Sequence, residues 1–204
     1  MAERRRGIPT PQTDRTVRDR DWTVNEIAGE QYERTEFADV DMAGLANRGC
    51  TFTGCVFRGV EFNASEHTGA AFVNCVFVRC EFFDATFTDC KLVGSMFDGG
   101  SYDLLKVVGG DWSFAGMPGL DLRRASFSGV RMHDVDLTGA RCQGAEFAGV
   151  DLSDAWLHGA DFTKADLRGS DLSGIDPTSV ALAGARIEPE QAITIAMALG
   201  LRIG

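Results

Sequence analysis

No stretch of the chain approaches the roughly 18 consecutive apolar residues of a membrane span, so no membrane association is expected. The opening segment ERRRGIPTPQTDR has no apolar core of the kind a secretory signal needs. Residues 1–21 read as a disordered Arg-rich tail, and a cytoplasmic location is the expectation. Positive charge is also short, with 20 Lys and Arg against 30 Asp and Glu, a net charge of −10. That balance argues against direct binding of nucleic acid or of an anionic membrane, because both would repel the chain. A basic partner suits it better. Six acids and six arginines cancel within residues 1–30, so the whole deficit lies in residues 31–204, as 24 acids against 14 bases.

Histidine is scarce, at three residues, and none of the usual zinc spacings of Cys and His occurs. The phosphate-binding, dinucleotide, HExxH and GxSxG patterns are absent as well. No metal, no cofactor and no catalysis are expected.

What the chain does have is a period of five. Stepping in fives from Phe37 to Ile187 visits 31 positions, of which 28 are apolar; composition alone predicts about 14. Twelve of the fourteen phenylalanines fall there. Two residues before each centre the side chain is small or aliphatic, as at Cys50, Val60, Ala70, Ala140 and Ala165, and none of these positions carries a charge. Each repeat therefore turns one large and one small residue inward and three residues outward. Neither an α-helix at 3.6 nor a flat strand at 2 accommodates that period.

Repeats such as ADFTK, ADLRG, SDLSG and AEFAG resemble the A(D/N)LXX motif of the pentapeptide-repeat family. The resemblance implies an all-β fold, a right-handed quadrilateral β-helix with four repeats to a coil, so that residues twenty apart stack. The centres then make nearly eight coils and a rod of roughly 38 Å at a rung spacing of about 4.7–4.9 Å. The β-helix is expected over residues 22–187. Beyond it, EPEQAITIAMALG reads as a short C-terminal α-helix within residues 188–204, with Pro189 in its first turn and Gly200 closing it. Ala192, Ile195, Ala196 and Leu199 form one apolar stripe, and Ile193 and Met197 widen it. Such a helix is expected to cap the last coil on one side and to meet a second copy on the other, giving a homodimer.

The repeat also explains residues that invite other chemistry. Five of six cysteines occupy the small inward position and Cys142 a centre, where free Cys acts as a small buried hydrophobe. Asn47 and His67, polar residues at centres twenty apart, are expected to satisfy one another in the core. Around Tyr102 to Met117 the pattern loosens, with Leu104 and Phe114 outward, which predicts a local distortion or bend. An outward column of Val56, Val76 and Met96, with Val73, Val78 and Val93 nearby, suggests an apolar partner surface.

Outward acids line up at intervals of twenty. Asp41, Glu61, Glu81, Asp121 and Asp161 share one face, and Asp161, Asp166, Asp171 and Asp176 put an acid on each of four faces. With Asp136, Glu146 and Asp151 in the coil before, acid density is expected to peak beside the dimer junction. Twenty-four acids give about one per 1.6 Å of rod before bases are subtracted, against one charge per about 1.7 Å for duplex DNA. Beyond the generic repeat, SEHTGAAFVNCVF, DATFTDCKLVGSMF and ADLRGSDLSGIDPTSVALAGARIEPEQAITIAMALGLRI resemble the fluoroquinolone-resistance proteins of this family, mycobacterial and plasmid-borne. That resemblance implies a homodimeric DNA mimic that binds DNA gyrase and inhibits it or protects it from quinolones, with these acids as the contact surface. An interaction scaffold with another partner is the alternative.

Overall fold

The structure, a computed structural model, describes residues 10–18 and 24–204. Because the inward residue recurs every fifth position, the chain turns a corner after each repeat and returns above itself after four. Every parallel pairing has a register of twenty. On the first face β1 (Arg15–Arg18), β4 (Thr35–Ala38), β7 (Val56–Arg58), β10 (Val76–Val78) and β12 (Met96–Asp98) make a five-stranded sheet. The third face carries seven strands: β2 (Glu26–Ala28), β5 (Ala46–Arg48), β8 (Glu66–Thr68), β11 (Thr86–Thr88), β13 (Lys106–Val108), β14 (Ser126–Ser128) and β15 (Glu146–Ala148). The fourth has β3 (Gln31–Glu33), β6 (Thr51–Thr53) and β9 (Ala71–Val73). The second face is held by isolated bridges such as Asp41↔Glu61 and Glu61↔Glu81. The molecule is a parallel β-solenoid, and one helix, α1 (Pro189–Ala198), ends it.

The centres fill the interior as stacked columns. On the first face Phe37, Phe57, Phe77 and Phe97 lie with centroids 4.9, 4.8 and 4.7 Å apart and nearly parallel planes. Neighbouring columns meet edge to face, as Phe57 and Phe62 do at 5.5 Å and 61°. Each buried ring contributes roughly 1.5–3 kcal/mol from burial, and these geometries suit the ring quadrupole.

Arg15–Arg18, expected in a disordered tail, instead form β1 and pair with β4 in the common register. Val17, twenty before Phe37, continues the column of centres, while Arg15 turns outward and its Nε donates to Thr35 Oγ1 at 2.9 Å. A charge at the small position hid this repeat. Residues 1–9, the rest of that expected tail at 19–21, and the expected start of the β-helix at Trp22 lie outside the described residues.

The loosened middle holds no bend. Pairing at twenty runs through it by Lys106↔Ser126, Asp111↔Arg131 and Gly116↔Asp136. The distortion is local, at the two glycines in small inward positions. Gly100 and Gly110 adopt φ of +91° and +84°, and their corners press onto the coil before. An added Cβ would fall 2.1 Å from the carbonyl oxygen of Cys80 or Cys90, respectively.

Candidate functional site

The eleven outward acids divide by residue type. All eight aspartates, Asp41, Asp121, Asp136, Asp151, Asp161, Asp166, Asp171 and Asp176, accept a hydrogen bond from the backbone N–H two residues on, at 2.8–3.4 Å. Among the described residues, Glu61, Glu81 and Glu146 make no such bond. An aspartate at this position closes an Asx turn that helps the chain round the corner. The recurring aspartate is thus part of the folding code as well as of the surface.

Asp41, Glu61 and Glu81 do stand in one column through consecutive parallel bridges, and Asp121 and Asp161 continue it on either side of Arg141. Among the described residues, arginines engage Asp166 of the four acids expected at the C-terminal end, and Asp121 farther up the rod. Asp166 receives the Arg168 guanidinium at 2.7 Å and that of Arg186, twenty residues on. Asp121 is paired with Arg123 at 2.7 Å and Arg141 at 3.1 Å. Hydrogen bonding by Arg168 and Arg123 holds the Asp166 and Asp121 carboxyls below the ordinary carboxylate range. Asp161 shifts the same way through the Thr163 side chain and backbone N–H.

The second face is polarised in consequence. From 41 to 104 its outward positions hold five acids, Asp41, Glu61, Glu81, Asp84 and Asp103, and no base. From 121 to 164 they hold two acids, Asp121 and Asp161, against Arg123, Arg124, Arg141 and Lys164. Lys106 and Arg124 reach Asp84 and Asp103 at 2.8 Å each, whereas Glu61 and Glu81 lie exposed. On this face the negative strip therefore lies on the N-terminal coils.

The apolar surface expected around Val76 does not exist as an open patch. Val56 is 1% exposed and Val76 9%, and Met96 is half-buried. Met96 lies across Gly116, where an added Cβ would meet the Met96 side chain, and the Arg58–Glu36 pair at 3.2 Å flanks the same column. Outward residues here cover one another along the rod.

At the C-terminus a capping box starts α1. The Glu188 side chain and the Gln191 side chain bond reciprocally to backbone, and Pro189 fits the first turn. The sequence reading missed Gln191. Buried against the last coil, its Nε2 donates to the carbonyls of Leu167 and Ser170, both at 2.7 Å, supplying donors to a coil with no successor. Gly200, at φ +83°, closes the helix with an N–H to the Met197 carbonyl at 2.9 Å. Ile195 packs against the core and Ala196 is half-buried, while Ala192, Ile193, Met197 and Leu199 are exposed, Met197 at 62%. Leu201 and Ile203 prolong that apolar surface.

All six cysteines are free and buried. Thiols at the small position donate to a centre's carbonyl in the coil before, as Cys75 does to Phe52 at 3.3 Å and Cys80 to Phe57 at 3.4 Å. Burial raises Cys75, takes Cys80 to about 12 and Cys90 to about 11, whereas a hydrogen bond with Cys75 lowers Cys55. No group of three or more His, Cys, Asp or Glu is placed to hold a metal among the described residues.

The repeat, the register of twenty and the inward pair of residues are the decisive observations, and a family comparison agrees. The pentapeptide-repeat model matches residues 113–144 and 136–174, with eight copies. That match covers residues 113–174, and the rest of the rod continues the same period. Two solved structures of QnrB1, described as a plasmid-mediated fluoroquinolone resistance protein, share the fold. Both are trypsin-treated point variants of that protein. The first is 21% identical, with 93% of this chain and 99% of that one covered and a TM-score of 0.52. The second, substituted at a different position, is 16% identical, with 93% and 96% covered and a TM-score of 0.55. No curated protein sequence matches.

Proposed function

We propose that this pentapeptide-repeat protein is a DNA mimic that binds DNA gyrase as a homodimer, inhibiting it or protecting it from quinolone drugs. The observation that carries the reading is the exposed carboxylate ladder of Asp41, Glu61 and Glu81, set at one rung per coil on a solid rod. Repeated negative charge at fixed spacing is what a DNA-binding groove recognises. The shared fold of a plasmid-mediated fluoroquinolone resistance protein supports the reading, as do the sequence stretches quoted above. Exposed Ile193, Met197 and Leu199 supply the surface for a second copy through α1. Six free thiols suit a reducing cytoplasm. A scaffold using the face near Val76 and Met96 is the weaker alternative, because that face is covered.

The test is supercoiling by purified gyrase, with and without a quinolone. The protein should slow supercoiling or reduce drug-induced DNA cleavage at micromolar concentration, and no effect on either reaction would overturn the proposal. A variant carrying Asp41→Asn, Glu61→Gln and Glu81→Gln should lose at least tenfold in potency, while Asp166→Asn, whose carboxylate is already engaged by two arginines, should lose less.

A further inference from the structure

We propose that Phe83, together with Glu61 and Glu81, forms a contact point for a guanidinium group, an arginine side chain presented by a partner protein. Phe83 stands on the second face, outside the rod, and is 47% exposed. Its ring meets no other ring and no cation among the described residues. Phe114, also exposed, instead sets its ring edge-on to His133 at 6.0 Å. The backbone that carries Phe83 is fixed on both sides: its N–H donates to Asn63 Oδ1 at 3.0 Å, and its carbonyl accepts from the Ala64 N–H at 2.8 Å. The core of that repeat is already filled by Cys80 and Phe82, both buried, so the fold does not call for a second ring there.

Uncommitted carboxylates flank the ring. Glu81 lies two residues before it on the same coil, and Glu61 is bridged to Glu81 from the coil before. Both are exposed, and neither makes an ion pair among the described residues. Arg79, on the corner before Glu81, lies along Gly99 instead. Toward the next corner Asp84, and on the next coil Asp103, are already held by Lys106 and Arg124 at 2.8 Å. An aromatic face beside free carboxylates is complementary to an organic cation. Arginine fits better than lysine: its guanidinium is planar, stacks on rings, sheds water more easily and donates to two carboxylates at once. The inference deepens the DNA-mimic reading and rests on it in taking this ladder as a contact surface. It adds that the ring, which a ladder of phosphates lacks, selects an arginine on the partner.

The probe is the peptide acetyl-Gly-Arg-Arg-Gly-amide, titrated into the full chain by calorimetry, with lysine and citrulline versions alongside. Saturable binding of the arginine peptide is expected, about threefold weaker with lysine and lost with citrulline, which keeps the shape and removes the charge. Phe83→Leu, which keeps apolar bulk and removes the ring face, should weaken binding about threefold to fivefold, the size of an exposed cation–π contact, and Phe83→Trp should restore or tighten it. Glu61→Gln with Glu81→Gln should weaken it about tenfold. Phe114→Leu, on another face, should change nothing, and thermal melts confirm that each variant is folded. Equal binding of arginine and lysine peptides, or binding unchanged by Phe83→Leu, would mean diffuse attraction to an acidic rod and would overturn the proposal. These titrations contain no gyrase, so their failure is separate from failure of the DNA-mimic reading, which the supercoiling assay decides.

Discussion

Asn47 Nδ2 and His67 Nδ1 lie 3.1 Å apart in the core, one coil above the other at the same centre position. The amide can only donate there, so Nδ1 accepts and Nε2 carries the proton. Nε2 then donates to Ser65 Oγ at 3.0 Å, whose hydroxyl donates to the Phe62 carbonyl at 2.7 Å. Asn47 Oδ1 accepts from the Cys50 N–H at 3.3 Å. The His67 ring stacks on Phe87 at 4.4 Å. Each polar atom is satisfied, and the histidine fits as a neutral ring in an aromatic column.

Burial lowers the His67 pKa to about 3, so the imidazole stays neutral in the fold where an exposed one would protonate near about 6.5. The unfolded chain therefore gains a proton first as pH falls. Stability is full above about 6.5, declines by roughly 1.4 kcal/mol per pH unit below it, and levels near the folded value. From pH 6.5 to 5 the loss should be about 2 kcal/mol, above the range where the carboxylates titrate. Urea denaturation at the two pH values, compared with Asn47→Leu/His67→Phe, checks this. An equal acid dependence in both proteins would refute the role of His67.

Phe77→Ala removes a ring held between Phe57 and Phe97 in a fully buried column. A destabilisation of about 3–5 kcal/mol is expected, since a filled rod has little room to collapse around the void. Cys75→Ala, which loses one weak donor to the Phe52 carbonyl, should cost far less. Thermal melts of the two variants give the comparison.

Gly100→Ala should be worse than the same change at Gly129. Both glycines have positive φ, but the Gly100 Cβ would sit 2.1 Å from the Cys80 carbonyl oxygen, whereas that of Gly129 meets nothing within 4 Å. Strain of order 1 kcal/mol is common to both; the clash at Gly100 adds to it and should disrupt the corner. Lower melting of Gly129→Ala than of Gly100→Ala would contradict this reading.

Ile193→Glu with Met197→Lys places charge on the exposed side of α1, where a two-fold contact would bring the same patch against itself. The dimer should be weakened by several kcal/mol, enough to leave monomers at micromolar concentration. The coils should stay folded, because Gln191 and Ile195 dock the helix from its other side. Light scattering reports the mass, and a variant that stays dimeric places the interface elsewhere.

Sequence alone determined the repeat and its inward pair of residues, because each repeat must bury the same two positions, while the four-cornered coil is what the family resemblance implied. Phe37 through Ile175 fell inside on that ground, as did the cysteines and the Asn47–His67 pair, and the capped helix at Pro189 was legible from its signals. Tertiary structure decided everything that depends on a neighbour in the next coil. Arg186 meets Asp166, Met96 covers Gly116, and Gln191 caps Leu167, each through a side-chain conformation that the repeat leaves free. The period fixes which residues are adjacent, while rotamer and local charge fix whether an outward acid is neutralised, tied into a turn or left open to a partner. For that reason Asp166 is neutralised while Glu61 and Glu81 stay exposed, and the supposed apolar face closed over itself.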